Sequence, residues 1–259
     1  EAFLSVSASL YRLRLLNGAN ARVFRVGLSD GRAFHVIGTD GGLLDRPVPA
    51  TSADLGPGER LEILVDFSTM AVGSSVSLRS LPFRLFGGMG MGMMGGASQG
   101  AELELLRFDV VRPGTGSPLP DRLATPDLPD PVAATTRRTF VLQMTMPPFA
   151  GGFLINGRPF DGSRIDLRVQ HEATELWDVV NPSTEPHPFH VHAARFRVLE
   201  RSGGAPGPAD LGSKDTVLVW PGETVRLAVR FGPWTGRYVL HCHNLEHEDA
   251  GMMSAFEIA

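Results

Sequence analysis

Two stretches of this chain repeat one another at a fixed distance, and that repeat constrains the fold more than any other feature. "LLNGANARVFRV" is echoed by "VVNPSTEPHPFHV", and "LGPGERLEILVDF" by "VWPGETVRLAVRF". Asn17 and Pro57 lie 40 residues apart, as do Asn181 and Pro221. Two independent landmarks that keep one spacing point to two copies of one structural unit. The length of 259 residues agrees, since it suits two domains of about 130 residues each.

Within each copy the hydrophobic pattern is that of strands. "YRLRLL", "RVFRVGL", "RLEILVDF", "ELELLRFDVV", "RTFVLQM", "ATELWDVV", "RFRVLER", "TVRLAVRF" and "RYVLHCH" are short, mostly alternate apolar with polar residues, and are bounded by turn formers. Such runs predict an all-β protein of antiparallel sandwiches with one buried face per sheet. Between Pro113 and Pro131, "PGTGSPLPDRLATPDLPDP" carries six prolines and no strand pattern, which reads as a stiff, extended linker. The expected division is residues 1–112, a linker over 113–136, and a second domain over 137–259. Residues 87–96, "GGMGMGMMGG", form a low-complexity insertion in the first copy, expected to be a loop or loose hairpin because glycine on that scale defines no core element.

Charge and composition exclude several functions. A net charge of −4 with scattered Lys and Arg offers no basic stripe for a phosphate backbone, so no nucleic-acid partner is expected. No apolar run approaches the roughly eighteen residues of a membrane span. A single cysteine rules out an internal disulfide framework and leaves the redox compartment open. The chain opens on Glu1 and is already strand-like by Tyr11, with no leader and no Met, which reads as a start in mid-protein and leaves room for a signal segment or an upstream domain before it.

The chemistry is concentrated in the second copy. Six of the eight histidines fall in "HPFHVH" (His187, His190, His192) and "HCHNLEH" (His241, His243, His247), the latter holding the only cysteine, Cys242. Imidazole and thiolate are the ligands that soft and borderline transition metals select. Side chains alternate across a strand, so His241 and His243 share one face and Cys242 takes the other; His190 and His192 likewise share a face. On the Cys242 face, Cys242, His247 five residues on, Met252 five more and His187 from the neighbouring cluster assemble the two-His, one-Cys, axial-Met set of a blue-copper centre. "NLEHEDAG" can form a helical turn, opened by Asn244 and closed by Gly251, that folds His247 and Met252 back toward the sulfur; Met253 is rejected on spacing. Zinc takes His and Cys too, but does not account for the Met or for His on both sides of Cys242. The opposite face offers His190, His192, His241 and His243, enough for more than one metal ion yet too few to enclose a cluster unaided. His35 and His171 read as ordinary polar residues.

These motifs resemble the copper-binding signature of the multicopper oxidases, the family that includes laccases. "HPFHVH" is similar to its His-Pro-x-His-x-His, and "HCHNLEHEDAGMM" to its His-Cys-His, His and axial Met. "YRLRLLNGANAR", "IGTDGGLL" and "PGERLEILVDF" resemble its middle domain, and residues from about 137 onward its last. The resemblance implies two tandem cupredoxin-like Greek-key β-sandwiches, with copper as cofactor: four ions per complete enzyme, of which this chain would ligate the type 1 site fully and the trinuclear cluster by half. His187, Cys242, His247 and Met252 would bind type 1 copper, His190 type 2 copper, and His192, His241 and His243 the type 3 pair. Cys242 would then link the sites covalently through its neighbours. Glu248 matches an acid that helps deliver protons to oxygen; read alone, it is an acid beside Asp249. The first 130 residues lack the family's two further His-x-His motifs, so the chain resembles the middle and last domains of a longer enzyme whose N-terminal cupredoxin domain or chain is a missing partner.

The implied function is laccase-like: one-electron oxidation of phenols, aromatic amines or a low-valent metal, coupled to reduction of dioxygen to water, in the periplasm or outside the cell. Oxidation of cuprous or other metal ions is the variant that the thioethers of residues 87–96 suggest, against Met as simple loop filler. A nitrite-reductase-type enzyme needs only a mononuclear second site, which His on both flanks of Cys242 disfavours. A non-catalytic blue-copper fragment is the third reading for the chain alone.

Overall fold

The computed structural model describes residues 2–85, 99–145 and 152–259; the Gly- and Met-rich stretch 87–96 lies outside them. The first sandwich is built from β1 (Phe3–Ser7), β2 (Leu10–Leu16), β3 (Phe24–Leu28), β4 (Phe34–Thr39), β5 (Gly42–Ala50), β6 (Ser52–Leu55), β7 (Arg60–Asp66), β8 (Ser75–Ser80) and β9 (Leu103–Arg112). Its sheets run β1-β9-β8-β3-β6 and β2-β7-β4-β5. The second comprises β10 (Ala134–Thr145), β11 (Gly152–Ile155), β12 (Leu167–Val169), β13 (Thr174–Val180), β14 (His187–Val191), β15 (Ala194–Arg201), β16 (Thr216–Val219), β17 (Thr224–Phe231), β18 (Gly236–Cys242) and β19 (Met253–Ile258), with α1 (Leu245–Asp249) between the last two. Its sheets run β12-β19-β18-β14-β16 and β11-β10-β13-β17-β15.

Alternation does the folding work. In β7, Leu61, Ile63 and Val65 are fully buried, and in β17 so are Val225, Leu227 and Val229. Burying each such side chain contributes about 1.5–3 kcal/mol. Phe34, Phe67 and Phe108 fill the first core; Trp177, Phe189, Phe196, Phe231 and Phe256 fill the second. Most pairings are antiparallel as expected, but β1–β9, β10–β13 and β12–β19 are parallel. Each parallel pair joins strands distant in sequence, where the chain has crossed between sheets and a hairpin cannot form. The proline-rich stretch has no strand up to residue 130, then a 3-10 turn over Pro131–Ala133 whose first N–H groups are capped by Asp130. β10 starts at Ala134, and Ala134 and Thr136 already pair with β13.

The repeat in the sequence is a repeat in topology. β12-β19-β18-β14-β16 reproduces β1-β9-β8-β3-β6 strand for strand. Registers match as well: Phe189 opposes Val217 and Cys242, as Val26 opposes Ala53 and Ser80. Ser80 therefore stands where the second copy has Cys242, Phe24 where it has His187, and Gly27 and Arg79 where it has His190 and His241. The 40-residue spacing is held by an asparagine clamp. The buried Asn17 amide donates to Leu55 O and Arg22 O, both at 2.8 Å, and Asn181 donates to Val219 O at 3.0 Å and Glu185 O at 2.7 Å. Gly58 N–H bonds Asn17 O, and Gly222 N–H bonds Asn181 O.

The sandwiches meet where the segment before β16 crosses the ends of β4 and β7. Thr39 Oγ1 lies 2.9 Å from Leu211 O and 3.1 Å from Ser213 O. The Lys214 ammonium, 1% exposed, sits 3.1 Å from Asp40 and 3.3 Å from Glu59. Burial pushes the Glu59 carboxyl up to about 7 against the pull of Lys214; Lys214 itself, despite its burial, is held charged by Asp40 and Glu59.

Candidate metal centres

Cys242 ends β18 and points into the second core, fully buried. His187 opens β14, and α1 returns His247 to the same spot. Their donor atoms form a small triangle: His187 Nδ1 and His247 Nδ1 are 3.1 Å apart, and Cys242 Sγ is 3.5 Å and 3.6 Å from them. A point equidistant from all three lies about 2 Å from each, the length of a metal–imidazole bond. Both rings are turned by partners on their far side. Ser183 Oγ meets His187 Nε2 at 2.8 Å, and Glu185 Oε2 meets His247 Nε2 at 3.3 Å. Phe153 stacks on His247 at 4.2 Å. Met252 is fully buried in the same core, its carbonyl accepting from Cys242 N–H at 3.0 Å. Met253 lies in β19 opposite His241. Asn244 occupies the N-cap of α1 without capping it; its side chain donates instead to Pro186 O and reaches His247 Nδ1 at 3.3 Å. Gly251, at φ +100°, ends the turn in a conformation that suits only glycine.

Burial sets the protonation of this group. It holds the His187 imidazole down at about 3, with a further push from His247, and raises the Cys242 thiol above its usual range. Neutral imidazoles keep their lone pairs for ligation, and a metal would have to displace the thiol proton.

Across the sheet, His190, His192 and His241 bring ligating atoms within 4.8 Å of one another. His192 and His243 lie just past the ends of β14 and β18 rather than within them. They keep to the expected side all the same: His192 Nε2 is 3.2 Å from His241 Nε2, and the His243 ring is 5.6 Å from His241 and 5.8 Å from His190. His190 Nδ1 donates toward Asp215 O and Thr216 Oγ1, both at 2.9 Å. His241 Nδ1 lies 3.1 Å from Cys242 O and 3.2 Å from Glu248 Oε2, so Glu248 is a partly buried acid against the cluster rather than a free surface one. Burial lowers His241 to about 4. Asp215 is lowered too, for a different reason: burial opposes its charge, but hydrogen bonds from His190 and Arg60 hold it well below the usual carboxylate range. His35 and His171 join neither group.

A family model described as "Multicopper oxidase" matches residues 106–259. The chain belongs to the multicopper oxidase family. Among its relatives, the laccase of Bacillus subtilis (strain 168) is 32% identical over 99% of this chain and 52% of its own length. The cell division protein FtsP of Dickeya dadantii (strain 3937) is 34% identical over 97% of this chain and 52% of its own. The crystal structure of the McoA multicopper oxidase 2F4 variant from the hyperthermophile Aquifex aeolicus superposes with a TM-score of 0.87, at 36% identity, over 99% of this chain and 57% of that one. The cupredoxin-like fold of the family is thus the fold of both halves. The chain spans about half the length of the curated relatives it matches.

The family implies copper, and the donor set fits it: one thiol and two imidazoles converging on one side, a cluster of imidazoles on the other. The residues that sequence reading missed are the ones that orient these donors. Ser183 and Glu185 stand within the quoted "NPSTEPHPFHV" but carry no motif of their own. Phe153, Asp215 and Thr216 arrive from other strands and loops, with no signal in the spacing.

Proposed function

We propose that the complete protein is a laccase-like multicopper oxidase. It would couple one-electron oxidation of phenolic, aromatic amine or similar reductants to the four-electron reduction of dioxygen to water. The observation that carries this reading is the placement of Cys242: its sulfur lies in one donor group while the adjacent His241 lies in the other.

On this reading His187, Cys242, His247 and Met252 hold type 1 copper, His190 holds type 2 copper, and His192, His241 and His243 serve the type 3 pair. The remaining ligands come from a further N-terminal cupredoxin domain. Copper bound at these places supplies one-electron exchange at the first and dioxygen reduction at the second. The chain's own groups do the rest. Ser183 and Glu185 fix the rings of His187 and His247, Phe153 covers the His247 face, and Glu248 is placed to hold a proton 3.2 Å from His241 Nδ1. Among the described residues no helix is long and apolar enough to cross a membrane; a periplasmic or secreted location rests on the family resemblance. A second reading, oxidation of cuprous or other low-valent metal ions, has in its favour the half-exposed Glu185 carboxylate beside His247, together with the Met-rich sequence.

The test compares the copper-loaded complete protein with this 259-residue chain by absorption, electron paramagnetic resonance and oxygen uptake. The complete protein should show type 1, type 2 and type 3 signals and consume oxygen with phenols; this chain should show the blue band alone. A complete protein without the intense blue thiolate band would remove the oxidase reading. Oxygen uptake driven by Cu(I) but not by phenols would select the second.

A further inference from the structure

We propose that the first sandwich, which contributes none of the six clustered histidines, is a positioning element for two of them: its Gly58–Arg60 turn holds the His243 ring by direct contact and the His190 ring through Asp215. The proposal rests on the copper reading of the histidine cluster.

Two observations within three residues carry it. Gly58 has φ +79°, and a Cβ built on it would fall 2.4 Å from His243 Cδ2 and 2.7 Å from Nε2. The imidazole therefore lies against bare backbone, and any side chain at 58 would push the ring away. Two residues on, Arg60 reaches across the interface and grips both carboxylate oxygens of Asp215, at 2.8 Å and 2.6 Å. The guanidinium is itself fixed by Gly58 O at 2.8 Å and Asp40 O at 3.3 Å, and the Arg60 N–H by Asp40 Oδ1 at 2.7 Å.

Asp215 passes this constraint on. Its Oδ1 accepts from the Thr216 hydroxyl at 2.9 Å, which turns the Thr216 oxygen lone pairs toward His190 Nδ1. Its main-chain oxygen accepts from the same Nδ1, and Oδ1 stands 3.5 Å away. Three oxygen atoms around Nδ1 keep the hydrogen there and leave Nε2 as the nitrogen for a metal. An arginine fork imposes this orientation better than an ammonium could, because its two parallel hydrogen bonds fix the carboxylate plane. Arg60 is thus a positioning residue that acts through Asp215, and Gly58 one that acts by shape.

The experiment uses the copper-loaded complete protein with Arg60→Lys, Gly58→Ala and Thr39→Val. Thr39 bridges the same interface through hydrogen bonds to Leu211 O and Ser213 O rather than to a histidine, so its variant reports mere loosening. Arg60→Lys should alter the type 2 resonance and weaken retention of that copper against a chelator by about 10–100-fold, the usual effect of losing an outer partner. Gly58→Ala should alter the near-ultraviolet band of the type 3 pair. Both should keep the blue band of Cys242, and Thr39→Val should change none of the three. The proposal is overturned if Arg60→Lys and Gly58→Ala leave the type 2 and type 3 signals intact, if Thr39→Val shifts them equally, or if either variant loses the blue band as well. Absence of type 2 and type 3 signals from the unsubstituted protein would instead refute the copper reading.

Discussion

Two of the buried imidazoles carry a cost that shows in solution. His187 and His241 are held at about 3 and about 4, below the unfolded value of about 6.5, so over that range the unfolded chain binds more protons than the folded one. Stability of the copper-free protein should therefore fall as pH drops below about 6.5, by several kcal/mol, and level off only below the folded values. Urea midpoints measured from pH 7 downward check this; a flat profile would mean that the rings are not buried neutral. Cys242→Ser keeps the volume but removes the thiolate, so the fold should survive with the intense blue absorption gone. A variant still blue would exclude Cys242 as the sulfur ligand.

Among the elements, the asparagine clamp separates architecture from chemistry. Asn17→Ala and Asn181→Ala each strand two carbonyls, and each should cost about 2–3 kcal/mol in a denaturant melt. Only Asn181 also holds the Ser183–Glu185 loop, through Glu185 O and Ser183 N–H. Asn181→Ala should therefore shift the blue band while Asn17→Ala leaves it alone; equal spectra would show that the loop does not orient His187 and His247. Each of the nine strand runs picked out by alternation falls on a strand, overrunning it by no more than two residues, because one-sided burial writes itself into period two. What alternation missed were short or edge elements, and the interior β4, β8 and β19, which are buried at most positions and so show no clean period. β5 contains Pro47 and Pro49, tolerated because it borders its sheet, and β11, β12 and β16 are too short to show a period. The candidate donors themselves stood out in the sequence because metal chemistry restricts residue type. Asp215 and Phe153 were not, because their role depends on tertiary approach alone.

For the molecule as a whole, the junction between sandwiches holds the most deeply buried ion pairs among the described residues. Lys214→Met would leave Asp40 and Glu59 facing each other without their buried cation, and should destabilise by about 3–5 kcal/mol at neutral pH. The loss should shrink as pH falls and the carboxylates protonate. Urea titrations of both proteins at two pH values test this; a pH-independent difference would argue for lost packing instead.

The matched registers have one more consequence. Ser80 and Phe24 occupy in the first sandwich the places of Cys242 and His187 in the second, and the same strand order results. One polypeptide thus contains a blank beside its sample: an edition of the scaffold folded without the cysteine or any of the six clustered histidines. Stripping the metal from the second half should accordingly leave its strand framework standing, with amide exchange slowed or quickened only around the loops that carry the histidines.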